Sequence, residues 1–190
     1  MKEKMRCPWP ANDPLMIKYH DTEWGVPVYD DRKLFEFLLL DAFQAGLSWS
    51  TILKKRENFS LAFDQFDYQK IASYGPKKLA SLKNDIGIIR NRSKIEATVN
   101  NAKAFIKIQE KHRSFSNFIW DFVENKPINN SFKTSEEVPP FTPLAEKISE
   151  TLKKEGFKFV GPTVMYAFMQ ATGMVNDHLE DCFRYQELVN

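Results

Sequence analysis

The sequence predicts an all-α fold. Three observations carry that reading: helix caps paired with glycine or proline stops recur along the chain, strand-like alternation is scarce, and 43% apolar residues with 16 Phe can fill one core in 190 residues. No internal repeat or low-complexity tract divides the chain, so a single domain over residues 1–190 is expected.

The elements follow in order. Asp30 and Asp31 put acid ahead of RKLFEFLLLDAFQ and Gly46 closes it, the two ends of a helix; being apolar nearly all round, it belongs at the centre of the core. Ser48 can cap a second helix from about Trp49 to Arg56, ending in Lys54, Lys55 and Arg56 at its C-terminal dipole. Asp67 starts a third, stopped by Gly75 and Pro76. Over about 76–110 the pattern is short helix, an IGI turn at Ile86 to Ile88, and a long helix from about Asn91 to Glu110 with Ile95, Val99, Ala102 and Ile106 as its apolar residues. Such a helix, hairpin and helix offers unpaired backbone amides to a phosphate without reading a base; with Gly87 as its one turn marker, an ordinary helix connection fits equally. A helix over Ser116 to Val123 and a surface loop from Lys126 to Pro140 come next. Thr142 and Pro143 supply a cap and a first-turn proline to a helix that Gly156 ends. GPTVMYAFMQATG reads as a buried helix from Pro162 to Thr172, and NDHLEDC as a short helix capped by Asn176.

A formal charge of +2 is too mild to name a polyanionic partner. Bases do cluster, at Lys54, Lys55 and Arg56, at Arg90, Arg92 and Lys94, and at Lys153, Lys154 and Lys158, where phosphate contacts and solvated helix ends both fit. No run approaches the roughly 20 apolar residues of a membrane span, so no membrane partner is expected. The start, MKEKMRCPWP, has no apolar signal core, and a cytoplasmic location is expected.

The two cysteines, Cys7 and Cys182, stand near opposite ends of the chain. In a reducing compartment a disulfide between them is disfavoured. His178 and Cys182 are spaced to share one face of a helix, and Cys7 with His20 offers a second pair, together a Cys2His2 complement for a tetrahedral cation. Four protein ligands leave no open position, so such a metal would be structural and would clamp the two termini. The spacing is not that of a zinc finger, and buried free cysteines fit as well. The deaminase signature is absent, which disfavours catalytic zinc.

Trp9, Tyr19, Trp24 and Trp49 fall in the first quarter of the chain, where core packing is the default role of each. Asp41 is harder to place. It interrupts LLLDAF in the most buried helix, where a carboxylate must find donors or face a cavity. An acid beside aromatic walls suits a flipped, electron-poor base, held by stacking and by hydrogen bonds at the ring edge.

YHDTEWGVP (Tyr19 to Pro27), FQAGLSW (Phe43 to Trp49), LKKREN (Leu53 to Asn58), GIIRNRSKI (Gly87 to Ile95), GFKFVGPT (Gly156 to Thr163) and FMQATGMVNDH (Phe168 to His178) resemble, in the same order, the DNA-3-methyladenine glycosylase I family. The resemblance implies the helix-hairpin-helix glycosylase fold, with one structural zinc per chain at Cys7, His20, His178 and Cys182 joining the terminal segments, about 1–28 and 157–190. It implies a base pocket in which Trp49 stacks, Tyr19 and Trp9 line the slot, and Asp41 accepts hydrogen bonds. Two positions depart from the pattern, since Asp41 stands where the family usually has Glu and Met16 where a tyrosine is common.

The implied activity is base excision from double-stranded DNA carrying alkylated purines, by a monomer. N3 alkylation makes the purine a cationic, good leaving group, so Asp41 need only favour the cation and orient it. The family lacks the catalytic aspartate of its structural relatives, and GFKFVGPT offers no substitute; no lysine nucleophile stands out, which predicts a monofunctional hydrolase. Gly46 and Leu47 are expected to wedge into the duplex, and Gly87, Arg90 and Arg92 to grip its backbone. The rival reading is a zinc-stapled helical module that binds damage without cutting.

Overall fold

The computed structural model describes residues 4–189, so the outermost residues of the terminal segments, 1–3 and 190, lie outside it. Ten α-helices are described: α1 (Pro14–Thr22), α2 (Asp31–Gln44), α3 (Trp49–Ala62), α4 (Tyr68–Ala72), α5 (Pro76–Asn84), α6 (Arg92–His112), α7 (Phe115–Trp120), α8 (Pro143–Lys154), α9 (Pro162–Ala171) and α10 (Phe183–Val189). The caps expected at Ser48 and Thr142 form, and the acid at Asp30 acts as a third. Asp30, Ser48 and Thr142 accept from the amides of Lys33, Thr51 and Ala145, each binding one of the orphan donors of a first turn.

α2 is the axis of the core. Every residue from Leu34 to Phe43 is buried, and the helix packs against α3, α6, α7 and α9. Phe43 meets Phe59 edge-on at 4.9 Å, and Phe35 meets Phe105 at 5.2 Å. Truncating one such ring to alanine would cost about 3–5 kcal/mol.

Four local expectations change. α1 was not foreseen, although Asp13 accepts from the amides of Leu15 and Met16 and Pro14 occupies the first turn. α3 runs past Arg56 to Ala62, because Arg56 turns inward to ion-pair with Glu23 and Glu36 instead of serving a helix end. The 126–140 loop contains a two-residue strand, β1 (Ile128–Asn129), paired in parallel with β2 (Val175–Asn176). Asn176 therefore ends a strand rather than capping a helix, and His178 and Cys182 are carried by a turn before α10.

The two ends of the chain are joined beside α9. The amides of Gly25 and Val28 donate to the carbonyls of Gln170 and Thr172, both at 3.0 Å. Gly173, at φ +69°, lies so close to this segment that a Cβ would stand 2.4 Å from the backbone of Val26 and Pro27, so no other residue fits there. At the far end, the amide of Phe183 donates to the carbonyl of Met5 at 2.9 Å.

Candidate functional site

Tyr19 and His20 are successive residues of α1, turned about 100° from one another by the helix, and both are buried. They serve different sites. Tyr19 lines a cavity of about 340 Å³, while His20 joins Cys7, His178 and Cys182, whose ligand atoms all lie within 4.8 Å of one another.

The cavity has aromatic walls. Tyr19 and Trp49 have ring centroids 5.3 Å apart, and Trp9 stands edge-on to Tyr19 and Trp24 at 6.3 and 5.1 Å. Asp41 reaches it from the middle of α2, only 3% exposed, and its Oδ2 has no hydrogen-bond partner. Burial alone pushes its carboxyl well above the usual carboxylate range. Tyr19 is pushed up as well, first by burial and then by the charge of Asp41. The indole nitrogens of Trp9 and Trp49 are likewise buried without an acceptor. Two donors and an acid oxygen without partners, gathered in one ring-lined cavity, are the complement of a flat polar ligand. Met16 packs against the core.

Beside the cavity, Gly46 at φ +84° turns the chain out of α2 and leaves Leu47 42% exposed. Lys94 fixes this turn: its ammonium donates to the carbonyls of Phe43 at 3.0 Å and Ala45 at 2.7 Å, and burial lowers its pKa. It is thereby withdrawn from the basic cluster in which its sequence neighbours place it. Arg90 and Arg92 stay exposed at the start of α6, Arg92 beside Glu96 at 3.0 Å. The turn between α5 and α6 is held by the Gly87 amide, which donates to Asp85 at 2.8 Å, and by Lys55, which donates to the Gly87 carbonyl at 3.1 Å.

The helices expected after Thr142 and from Pro162 form a second pair. α8 and α9 pack together across residues 155–161, and Asn101 clamps this connection by accepting from the Lys158 amide at 2.8 Å and donating to its carbonyl at 2.9 Å. Gly161 precedes α9 and offers no side-chain cap, leaving the first amides of the helix open. Its other end carries Gln170 and Ala171 to the cavity. Phe159, non-glycine at φ +57°, was the least legible feature of that turn.

The Cys2His2 cluster is complete in its outer contacts. Cys182 Sγ lies 3.5 Å from His20 Nε2 and 3.5 Å from His178 Nδ1, and Cys7 Sγ lies 3.7 Å from His178 Nδ1. A thiolate and an imidazole on one tetrahedral zinc stand about 3.5 Å apart. The remaining ring nitrogens are engaged, His20 Nδ1 with Asp21 at 2.8 Å and His178 Nε2 with the Trp24 carbonyl at 3.0 Å, which fixes the ligating tautomer of each. Arg6 in turn holds Asp21 at 2.8 Å. The contact between the two sulfurs raises the pKa of Cys7 and lowers that of Cys182. Two sulfur and two imidazole donors this close together are a set that can bind a dication such as zinc.

Residues 9–185 match the family model described as methyladenine glycosylase. The chain is 48% identical over 180 residues to DNA-3-methyladenine glycosylase 1 of Escherichia coli (strain K12), covering 95% of this chain and 96% of that protein. It is 48% identical over 177 residues to DNA-3-methyladenine glycosylase of Haemophilus influenzae, covering 93% and 96%. A crystal structure of 3-methyladenine DNA glycosylase I superposes with a TM-score of 0.92 at 47% identity, covering 94% of this chain and 98% of that one. The Staphylococcus aureus enzyme, in a structure describing 3-methyladenine recognition, superposes at 0.91 with 38% identity, covering 94% and 95%.

Proposed function

The chain belongs to the methyladenine glycosylase family of enzymes, and on that footing we propose that it extrudes 3-methyladenine from double-stranded DNA and hydrolyses its N-glycosidic bond, as the first step of base excision repair. The observation that carries this reading is Asp41, a buried acid without a partner for Oδ2 in an aromatic cavity. N3 methylation gives the purine a positive charge while it is still bonded to the sugar. A carboxylate that burial makes costly to ionise is relieved when that cation arrives, so Asp41 prefers the damaged ring to neutral adenine. Trp49 supplies a face for stacking, Tyr19 and Trp9 close the slot, and the base edge turns to Asp41. Since Asp41 is a short acid, a base must come deep into the cavity to meet it.

The base departs without strong acid catalysis, and water completes the reaction without a covalent enzyme intermediate. Leu47 and Gly46 enter the space left in the duplex, a role supported by the exposure of Leu47 on a turn pinned by Lys94. Two helix pairs face the backbone. The α5–α6 turn presents Gly87, Arg90 and Arg92, in the manner of a helix-hairpin-helix; the α8–α9 turn presents the uncapped start of a helix whose other end lines the base cavity. Zinc, held by Cys7, His20, His178 and Cys182, would tie the terminal segments together and neutralise the two thiolates; with four protein ligands it takes no part in the reaction.

Incubation of the enzyme with methylated duplex DNA should yield free 3-methyladenine and abasic sites in unbroken strands. Binding without base release would establish the non-catalytic reading, and strand cleavage by the enzyme alone would establish a lyase.

A further inference from the structure

A second carboxylate lines the same cavity. Asp177, on the segment after β2, is 2% exposed and differs from Asp41 in every contact. Its Oδ2 accepts from the Tyr166 hydroxyl at 2.6 Å and from Gln170 Nε2 at 2.7 Å, and its Oδ1 accepts from Asn130 Nδ2 at 2.6 Å. Three neutral donors meeting one carboxylate are the complement of a fixed anion, whose orientation needs no rearrangement during a reaction. Asn130 belongs to the same surface segment as Ser135, which is exposed and also lines the cavity. Ser135 is an exposed point on the cavity lining beside this wall, whereas Asp41 sits within the core helix.

Building on the glycosylase reading, we propose that Asp177 stabilises the positive charge that develops on the deoxyribose as the base leaves. The C1′–N9 bond breaks with its electron pair kept by N9, which neutralises the cationic purine. Positive charge passes to C1′ and its ring oxygen, a water oxygen then bonds to C1′, and one water proton goes to solvent. The division of labour is spatial: Asp41 selects the base and Asp177 lowers the barrier at the sugar.

The test separates chemistry from base recognition. Single-turnover release of 3-methyladenine from methylated duplex is compared with equilibrium binding of free 3-methyladenine for wild type, Asp177→Asn and Tyr166→Phe, with the metal content of each measured. Asp177→Asn should slow release about 100-fold and leave base affinity within about twofold of wild type. Tyr166→Phe, which leaves the metal-binding segment intact, should slow release by a smaller factor with the same split. A release rate unchanged in Tyr166→Phe, or rate and base affinity falling together, would overturn the proposal. Wild type that binds methylated DNA and releases no base would instead remove the glycosylase reading on which it rests.

Discussion

Two polar sites lie back to back between α1 and the segment following β2, and they are finished in opposite ways. In the Cys2His2 cluster each ligating side chain has its outer contact: Asp21 on His20, the Trp24 carbonyl on His178, the Leu179 amide on Cys7 and the Arg184 backbone on Cys182. In the cavity, Asp41 Oδ2 and the indole nitrogens of Trp9 and Trp49 have no partner. The first arrangement is what stability selects, and the second is what a binding site leaves open at a cost in stability. Cys7 belongs to one site by its sulfur and to the other by its position on the cavity wall, so the finished cluster supports the unfinished one.

Breaking the finished site should have the largest effect. A structural zinc contributes on the order of 10 kcal/mol to folding in small domains, so Cys182→Ser should abolish metal retention and lower Tm by more than any cavity substitution. Strong chelation of wild type should unfold the protein as it ends turnover; a chelated protein that stays folded while losing activity would mean that the metal is catalytic.

Asp41→Asn should move activity and stability in opposite directions. Release of 3-methyladenine should fall about 100-fold, while ΔG of unfolding at neutral pH should rise by about 1–3 kcal/mol. The pH dependence follows from the direction of the shift. Asp41 is raised in the folded state, so ionising it opposes folding: the stability gap between variant and wild type is smallest below about pH 4 and widens as pH rises toward the raised value. A gap that is independent of pH would show that Asp41 is not a strained acid.

Trp49→Ala should be milder, weakening binding of free 3-methyladenine by about 1–3 kcal/mol with little change in metal content. Smallest in energy is the replacement of Arg90 and Arg92 by alanine. Together they should lower the slope of log affinity against log salt by about 2, and an unchanged slope would take both out of the interface.

Legibility in the sequence follows the locality of the signal. Caps at Ser48 and Thr142 could be read because a cap and the amide that donates to it lie within three residues, and the buried run around Asp41 could be read from its composition alone. α1 carries the same signal, Asp13 followed by Pro14, but is short and half exposed, without an apolar stripe to draw notice. Contacts between distant segments left no local mark. Arg56 and Lys94 look like surface bases until Glu23, Glu36 and two carbonyls at the end of α2 come to meet them. His178 and Cys182 meet across a turn rather than along a helix, so their i, i+4 spacing pointed to the right pair for the wrong geometric reason. Asp177 gave no signal because all three of its donors come from elsewhere in the chain.

If a buried acid in a ring-lined cavity selects a purine bearing positive charge, base release should depend on that one carboxylate. Chromatography of the bases released from methylated duplex DNA by wild type and by Asp41→Asn, at equal concentrations of folded protein, tests it most directly. Wild type should give a 3-methyladenine peak that nearly disappears in the variant, and a peak of equal size from both would mean that Asp41 does not select the base.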